Sequence, residues 1–347
     1  MEAAVKRQNP ISRTERRRRA AADPRPRVTL SFYRYVKLAD PEVFKDKLLQ
    51  VWADLDCLGR IYVASEGINA QMNVPKVNWD RFDAWVQNQP ELAGIPYKIA
   101  VEEGDVSSFY KLAIKVRDKI VADGLDDKSF DVTDTGAYLT AAELNHYLDD
   151  PNAVVVDMRN NYESEVGHFS GAITPNVVTF RDELKHTPEL LRVHQNKKIA
   201  LYCTGGIRCE KASAWLKHNG FTDVRHLKGG IIDYAHQVKQ QGLENKFRGK
   251  NFVFDERLGE RISDEVIATC HLCRATNCDS HYHCQNQICH TLFIGCDDCV
   301  EKRGGYCSRR CQLVDTLPPK TKKRLARWYN QLIRRRQPFQ KTPLARG

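Results

Sequence analysis

Cys203 lies in the run Leu201-Tyr-Cys-Thr-Gly-Gly-Ile-Arg-Cys-Glu-Lys211, where a short apolar stretch ends and two glycines lead into a second apolar segment. Lys198 to Tyr202 reads as a strand, and Ala212, Ala214, Trp215 and Leu216 mark a following helix. A cysteine between them lies at the carboxyl end of a strand, the edge at which open α/β sheets hold ligands. Gly205 and Gly206 let the backbone curl so that several N–H groups turn inward at a helix start, where partial positive charge favours an anion. A thiolate, or a persulfide carried on it, is such an anion, so an acidic, nucleophilic Cys203 is expected. The competing reading is a buried cysteine before an ordinary glycine turn.

A second concentration of chemistry lies late in the chain, where nine of the twelve cysteines fall between Cys270 and Cys311. No secretory signal precedes them, so this density points to metal ligation or redox chemistry and not to a disulfide framework. Cys270-x-x-Cys273 and Cys296-x-x-Cys299 have the spacing with which two turns each aim two thiolates at one tetrahedral zinc. Cys278, Cys284, Cys289, Cys307 and Cys311, with His271, His281, His283 and His290 nearby, are candidates for a second site, although their spacings match no finger pattern. Reduced thiols packing a small lobe and an iron–sulfur centre stand as alternatives.

Around Cys203 the chain resembles the rhodanese family. The similarity runs through Ala153-Val-Val-Val-Asp157-Met-Arg159, through Tyr162, Glu163 and Gly167-His-Phe-Ser-Gly171, and through Asp223-Val-Arg-His-Leu-Lys-Gly229-Gly230. Cys203 through Arg208 matches the six-residue loop associated with sulfur handling; the related phosphatase loop is one residue longer. The resemblance implies that Cys203 is the active thiolate or persulfide carrier. It implies that the amides of Thr204, Gly205, Gly206, Ile207 and Cys209 cradle it, and that Arg208 braces the loop and adds charge. Asp157 and Arg159 read more readily as an ion pair at a strand end than as catalytic groups.

These residues need elements to position them. The expected class is multidomain α/β: a ferredoxin-like split βαβ domain at 28–118, a linker at 119–134, a rhodanese domain with a parallel sheet at 135–242, a cysteine-rich lobe at 243–317, and a basic helix and tail at 318–347. The first domain rests on strands at 28–36, within 60–74, at 99–101 and at 113–116, with helices at 41–55 and 78–87, a β-α-β-β-α-β order. No catalytic constellation is visible in it.

The net charge of +10 is concentrated at the two ends. Residues 1–27, expected to be a disordered tail, hold nine Lys and Arg against three acids, and residues 320–347 hold ten with no acid. The remainder is net acidic. Basic ends of this kind suit a polyanion, because neutralising phosphates releases counterions. Leu325, Trp328, Tyr329, Leu332 and Ile333 place an apolar stripe on the final helix, opposite Lys322, Lys323, Arg327 and Arg334 to Arg336. No apolar stretch approaches the ~18 residues of a membrane span, so a cytoplasmic protein is expected.

Taken together, the split βαβ domain, the Cys203 loop and the trailing cysteines resemble the bacterial tRNA uridine(34) hydroxylases over roughly residues 28–315. That resemblance implies oxygen-dependent conversion of the wobble uridine of tRNA to 5-hydroxyuridine, with Cys203 at the active site. Molecular oxygen is then the co-substrate, an unidentified electron donor the reductant and the anticodon loop the partner, while structural zinc stays a reading of the paired CxxC spacing beside its alternatives. The family carries adjacent cysteines where this chain has Tyr306-Cys307-Ser308, which leaves a second metal site one thiol short of the family pattern. The alternatives are a sulfurtransferase with a persulfide on Cys203, and a zinc-bearing RNA adaptor whose loop is vestigial. Cys209 reads either as a resolving thiol or as a packing residue.

Overall fold

In the computed structural model, which describes residues 12–102, 107–126 and 129–335, the chain divides into two units. The first comprises residues 1–121 with 254–257, and the second 122–253 with 258–347. The first unit opens with helix α1 (Arg13–Ala22), followed by β1 (Arg27–Tyr35), α2 (Pro41–Asp54), β2 (Leu58–Ala64), β3 (Gly67–Pro75), α3 (Trp79–Gln87), β4 (Lys98–Ile99) and β5 (Leu112–Val116). Its sheet runs β4-β1-β3-β2-β5. The β1–β3, β2–β3 and β1–β4 pairs are antiparallel, so the first four strands have the expected split βαβ order, and β5 adds parallel to β2.

Helix α2 begins where Asp40 accepts hydrogen bonds from the amides of Glu42 and Val43, ahead of Pro41 at the first helical position. Phe44, Leu48 and Trp52 recur four residues apart and form its buried stripe. Trp52 packs against Phe32, Phe82 and Trp85 with ring centroids 5.9–6.3 Å apart.

One expectation is corrected here. Residues 13–22 are not a disordered tail: Ser12 caps α1 by accepting from the Glu15 amide, and Arg18 and Arg19 pair with Glu15 at 2.8 Å. Arg17 reaches Glu256, within the same unit, at 2.5 Å. Intrahelical i,i+3 and i,i+4 pairs give a basic segment a reason to be helical.

The second unit contains β6 (Ala137–Leu139), α4 (Ala141–Asp149), β7 (Ala153–Asp157), α5 (Asn161–Ser164), β8 (Gly167–Phe169), α6 (Phe180–Leu190), β9 (Lys198–Tyr202), α7 (Ile207–His218), β10 (Val224–Leu227), α8 (Gly230–Gln241) and β11 (Phe247–Asn251). It continues with β12 (Glu260–Arg261), β13 (His281–His283), β14 (Leu292–Ile294), α9 (Asp297–Lys302), α10 (Arg309–Thr316) and α11 (Pro319–Arg335). The four-stranded sheet β6-β10-β9-β7 is parallel throughout. Its central strands read as continuous apolar runs because both faces are covered; Val154 to Val156 and Ile199 to Tyr202 are buried. Phe169 anchors the core, edge-on to Tyr202, Tyr234 and Phe247 at 4.7, 4.7 and 5.1 Å.

Parts of the expected linker and of the expected cysteine-rich lobe pack against this α/β body. Asp123, fully buried, pairs with Lys211 of α7 at 2.9 Å, so this part of the 119–134 stretch is pinned to the domain. β11 pairs antiparallel with β8, and Phe247 fills the core, so residues 247–251 extend the rhodanese-like body. What remains of the lobe is the β13–β14 hairpin with α9 and α10, where Cys284, Phe293 and Cys307 form a small buried cluster and Cys270 and Ile294 are also buried.

Among the described residues no helix is long and apolar enough to cross a membrane. On α11, Lys323, Arg324 and Arg327 are exposed and Leu325 is half-buried. The side chains of Trp328, Tyr329, Leu332, Ile333, Arg334 and Arg335, and all of Arg336, lie outside the described residues.

Candidate active site

Strand β9 lies inside the parallel sheet, between β10 and β7, and Cys203 is the first residue past its carboxyl end. The chain then turns through Gly206, whose φ of 97° is left-handed and favours glycine, and enters α7 at Ile207. A second glycine holds the loop from beneath. Gly230, at φ 68°, lies so close that an added Cβ would come within 2.5 Å of the Cys203 carbonyl oxygen and 2.6 Å of that of Thr204. The start of α8 then satisfies those carbonyls, with the Ile231 amide donating to Cys203 at 3.0 Å and the Ile232 amide to Thr204 at 3.3 Å. With its carbonyls tied outward, the loop is free to turn amides toward the sulfur.

The Gly206 amide donates to Cys203 Sγ at 3.1 Å. Burial by itself would raise the Cys203 pKa, but it is brought down to about 6 by the hydrogen bond from the Cys209 thiol, the charge of Arg208, and the amides of Gly206 and Arg208. Cys209 moves the opposite way: burial and the thiolate beside it hold it as a thiol. Its amide is used inside α7, bonded to the Gly206 carbonyl at 3.0 Å. Cys209 therefore serves the site through its S–H and not through its backbone. Thr204, Gly205 and Ile207 form the half-exposed outer side of the loop, while Cys203 itself is fully covered.

Arg208 braces the loop through Glu163, which no local sequence pattern marks as its partner. Its guanidinium donates to both oxygens of Glu163 on α5, Nη1 at 2.7 Å and Nη2 at 2.9 Å, and reaches Thr204 Oγ1 at 3.4 Å. Glu163 is fully buried, so the bidentate pair is shielded from water. A second carboxyl escaped the sequence reading altogether. Glu183 of α6 is fully buried, and neither of its oxygens has a hydrogen-bond partner among the described residues. Burial raises its pKa well above the ordinary value; Arg208 opposes the shift, and Asp157, Glu163 and Cys203 add to it. Its carboxyl therefore holds its proton more tightly than an ordinary glutamate does. Nothing in its local sequence marks it, since an acid in the first turn of a helix is an ordinary feature.

Asp157 and Arg159 form a fully buried ion pair at 2.6 Å, and Arg159 also donates to the Gly167 carbonyl at 2.6 Å. They fasten β7 to β8 and take no part in the loop.

The structure gathers the sulfur atoms of Cys270, Cys273, Cys296 and Cys299 within 4.8 Å of one another. It does the same for Cys284, Cys289, Cys307 and Cys311, so the missing family cysteine leaves no gap in this chain's second set of four. Both groups are made wholly of thiols, the donor set of a structural zinc. Cys278 belongs to neither group. The nearby histidines are engaged elsewhere: His271 with Glu165 at 2.7 Å, His281 with the Tyr162 carbonyl at 3.2 Å, and His283 against the His290 ring.

Three family models match in sequence order: the UPF0176 acylphosphatase-like domain over residues 27–120, the rhodanese-like domain over 140–237 and the rhodanese C-terminal domain over 248–312. Among solved structures, the rhodanese-like domain of an Anabaena sp. protein is similar at 19% identity, covering 33% of this chain and 80% of that one with a TM-score of 0.26. Curated relatives from Salmonella choleraesuis and Salmonella typhi, each named tRNA uridine(34) hydroxylase, are both 54% identical over 304 residues, 87% of this chain and 86% of theirs. With identity at that level over nearly nine-tenths of its length, this chain belongs to the tRNA uridine(34) hydroxylase family.

Proposed function

We propose that this protein hydroxylates C5 of uridine 34 in tRNA, with molecular oxygen as co-substrate and the Cys203 loop as the active site. The observation that carries this reading is a buried cysteine at the carboxyl end of β9 that accepts from the Gly206 amide at 3.1 Å, in a loop braced by the Arg208–Glu163 pair, in a chain 54% identical to proteins named tRNA uridine(34) hydroxylase. One oxygen atom goes to C5 and the other leaves as water, so each turnover takes two electrons and two protons from a donor that is still unidentified. The Cys203 thiolate adds to C6 of the uracil, which makes C5 electron-rich toward the oxygen species. Loss of the C5 proton and expulsion of the thiolate then restore the ring. Because Cys203 is fully covered, the loop opens at Thr204, Gly205 and Ile207 to admit a base already unstacked in the anticodon loop.

Zinc on Cys270, Cys273, Cys296 and Cys299 is structural in this reading, since four thiolates leave no open position for oxygen. The exposed cations of α11 are available to tRNA phosphates, and a tRNA substrate accords with a cytoplasmic setting.

Sulfur transfer through a Cys203 persulfide is the less favoured reading, because the relatives carry a hydroxylase name. Nucleoside mass spectrometry separates the two. The tRNA is taken from cells lacking this protein and complemented with wild type or Cys203→Ala, grown with and without oxygen. Wobble 5-hydroxyuridine restored only by wild type and only in oxygen is the expected result. An unchanged uridine pattern would overturn the proposal, and persulfide trapping on Cys203 would then test sulfur transfer.

A further inference from the structure

The two four-cysteine groups interleave along the chain. In order, the cysteine pairs are 270/273, 284/289, 296/299 and 307/311, and the structure joins the first to the third and the second to the fourth. The geometry points to a cross-braced lobe holding two zinc ions, one on Cys270, Cys273, Cys296 and Cys299 and the other on Cys284, Cys289, Cys307 and Cys311.

Distances support metal ligation over loose packing. Cys307 Sγ lies 3.7 Å from Cys289 Sγ and 3.6 Å from Cys311 Sγ. Four sulfurs about 2.3 Å from one zinc form a tetrahedron with edges of about 3.8 Å. A disulfide would need about 2.05 Å, and all twelve cysteines are free. A four-iron cluster would spread its ligands well beyond the 4.8 Å within which each group lies.

The two groups are also built alike, as two copies of one kind of site would be. In each, the residue after the second cysteine of the leading pair is left-handed: Arg274 at φ 58° and His290 at φ 48°, two of only four non-glycine residues with positive φ among those described. Such a turn aims two thiols at one point and costs energy in an L-residue, so something must hold it. The first cysteine of the trailing pair donates its amide to the first sulfur of the leading pair, Cys296 N to Cys270 Sγ at 3.4 Å and Cys307 N to Cys284 Sγ at 3.5 Å. The other trailing cysteine, Cys299 or Cys311, is the third residue of its helix, α9 or α10. A threonine hydroxyl attends each leading pair, Thr276 with Cys273 at 3.8 Å and Thr291 with Cys289 at 3.0 Å. Here the thiols donate to the hydroxyls; once a metal displaces the thiol protons, the hydroxyls would donate instead, and with the amides would orient and temper the thiolates.

The lobe needs such staples. Its buried apolar residues are few, Cys270, Cys284, Phe293, Ile294 and Cys307, too little to offset the conformational entropy of some forty residues. Interleaving means that neither ion can be satisfied by one half of the lobe, because the hairpin carrying Cys284 and Cys289 lies between the ligand pairs of the first site.

Full-length protein purified under reducing conditions is expected to contain two zinc ions per chain by elemental analysis, and cobalt(II) replacing them should give the absorption of two tetrathiolate sites. The pairing is read with double variants. Cys273→Ser with Cys299→Ser should leave one intact tetrathiolate cobalt site, whereas Cys273→Ser with Cys289→Ser should leave none; Cys278→Ser should leave both. If these variants are insoluble, wild type answers the same question: partial chelation followed by alkylation should label four thiols together, either 270, 273, 296 and 299 or 284, 289, 307 and 311. One metal per wild-type chain, iron in place of zinc, the reverse pattern in the double variants, or labelling of 270, 273, 284 and 289 as a set would overturn the assignment.

Discussion

Arg208 and Glu163 are joined by two parallel hydrogen bonds of 2.7 and 2.9 Å, with the carboxylate fully buried. One end of this pair is in the Cys203 loop and the other on α5, so the loop's positive charge is held by an element far from it in sequence. Removing the acid strands a buried guanidinium. Glu163→Gln is therefore expected to cost about 3–5 kcal/mol. Urea unfolding of the variant checks this, and a loss below ~1 kcal/mol would show that Arg208 is not held by the pair.

Cys209 lowers the pKa of Cys203 by donating its thiol hydrogen bond, so removing that donor should raise it. Alkylation of Cys203 by iodoacetamide, followed by mass spectrometry across pH, should show a midpoint near 6 in wild type. Cys209→Ala should move the midpoint upward and slow alkylation several-fold at neutral pH. The sign carries over to stability. A depressed thiol pKa adds stability that is fully present above the unfolded value near 9 and is lost as pH falls through about 6. An unmoved midpoint would reduce Cys209 to a packing residue.

Glu183 is the opposite case, a buried acid whose pKa is raised. Its contribution to stability is complete below the unfolded value near 4.5 and is lost as pH rises toward the folded one, because the unfolded chain ionises first. Glu183→Gln removes that titration, so the variant's melting temperature should gain on wild type between pH 5 and pH 8. A difference that stays constant with pH would mean that Glu183 is ionised in the fold.

The exposed face of α11 bears on the tRNA proposal. Replacing Lys323, Arg324 and Arg327 with Gln should weaken tRNA binding and lower the slope of log K against log salt by about 2–3. Filter binding at several salt concentrations measures both, and an unchanged slope would place the tRNA elsewhere.

The sequence by itself determined the parts of this protein that depend on local pattern. Strand β9, the glycine turn and α7 follow from an apolar run, Gly205-Gly206 and helical spacing, which is why Cys203 and its loop were legible without coordinates. The β-α-β-β-α-β order of the first unit was legible for the same reason, as was the zinc-like spacing of Cys270, Cys273, Cys296 and Cys299. Tertiary structure alone decided the rest. Glu163 reaches Arg208 across 45 residues, and the Glu183 pKa is raised because folding buries the side chain with no hydrogen-bond partner among the described residues. The same holds for Asp123 on Lys211, for Phe247 in the core, and for the division of eight cysteines into two alternating sets. Periodicity records which face of an element is apolar, but a long-range pair leaves no periodic trace. Such a pair depends on where the chain crosses itself, and that is settled only when the whole core is packed.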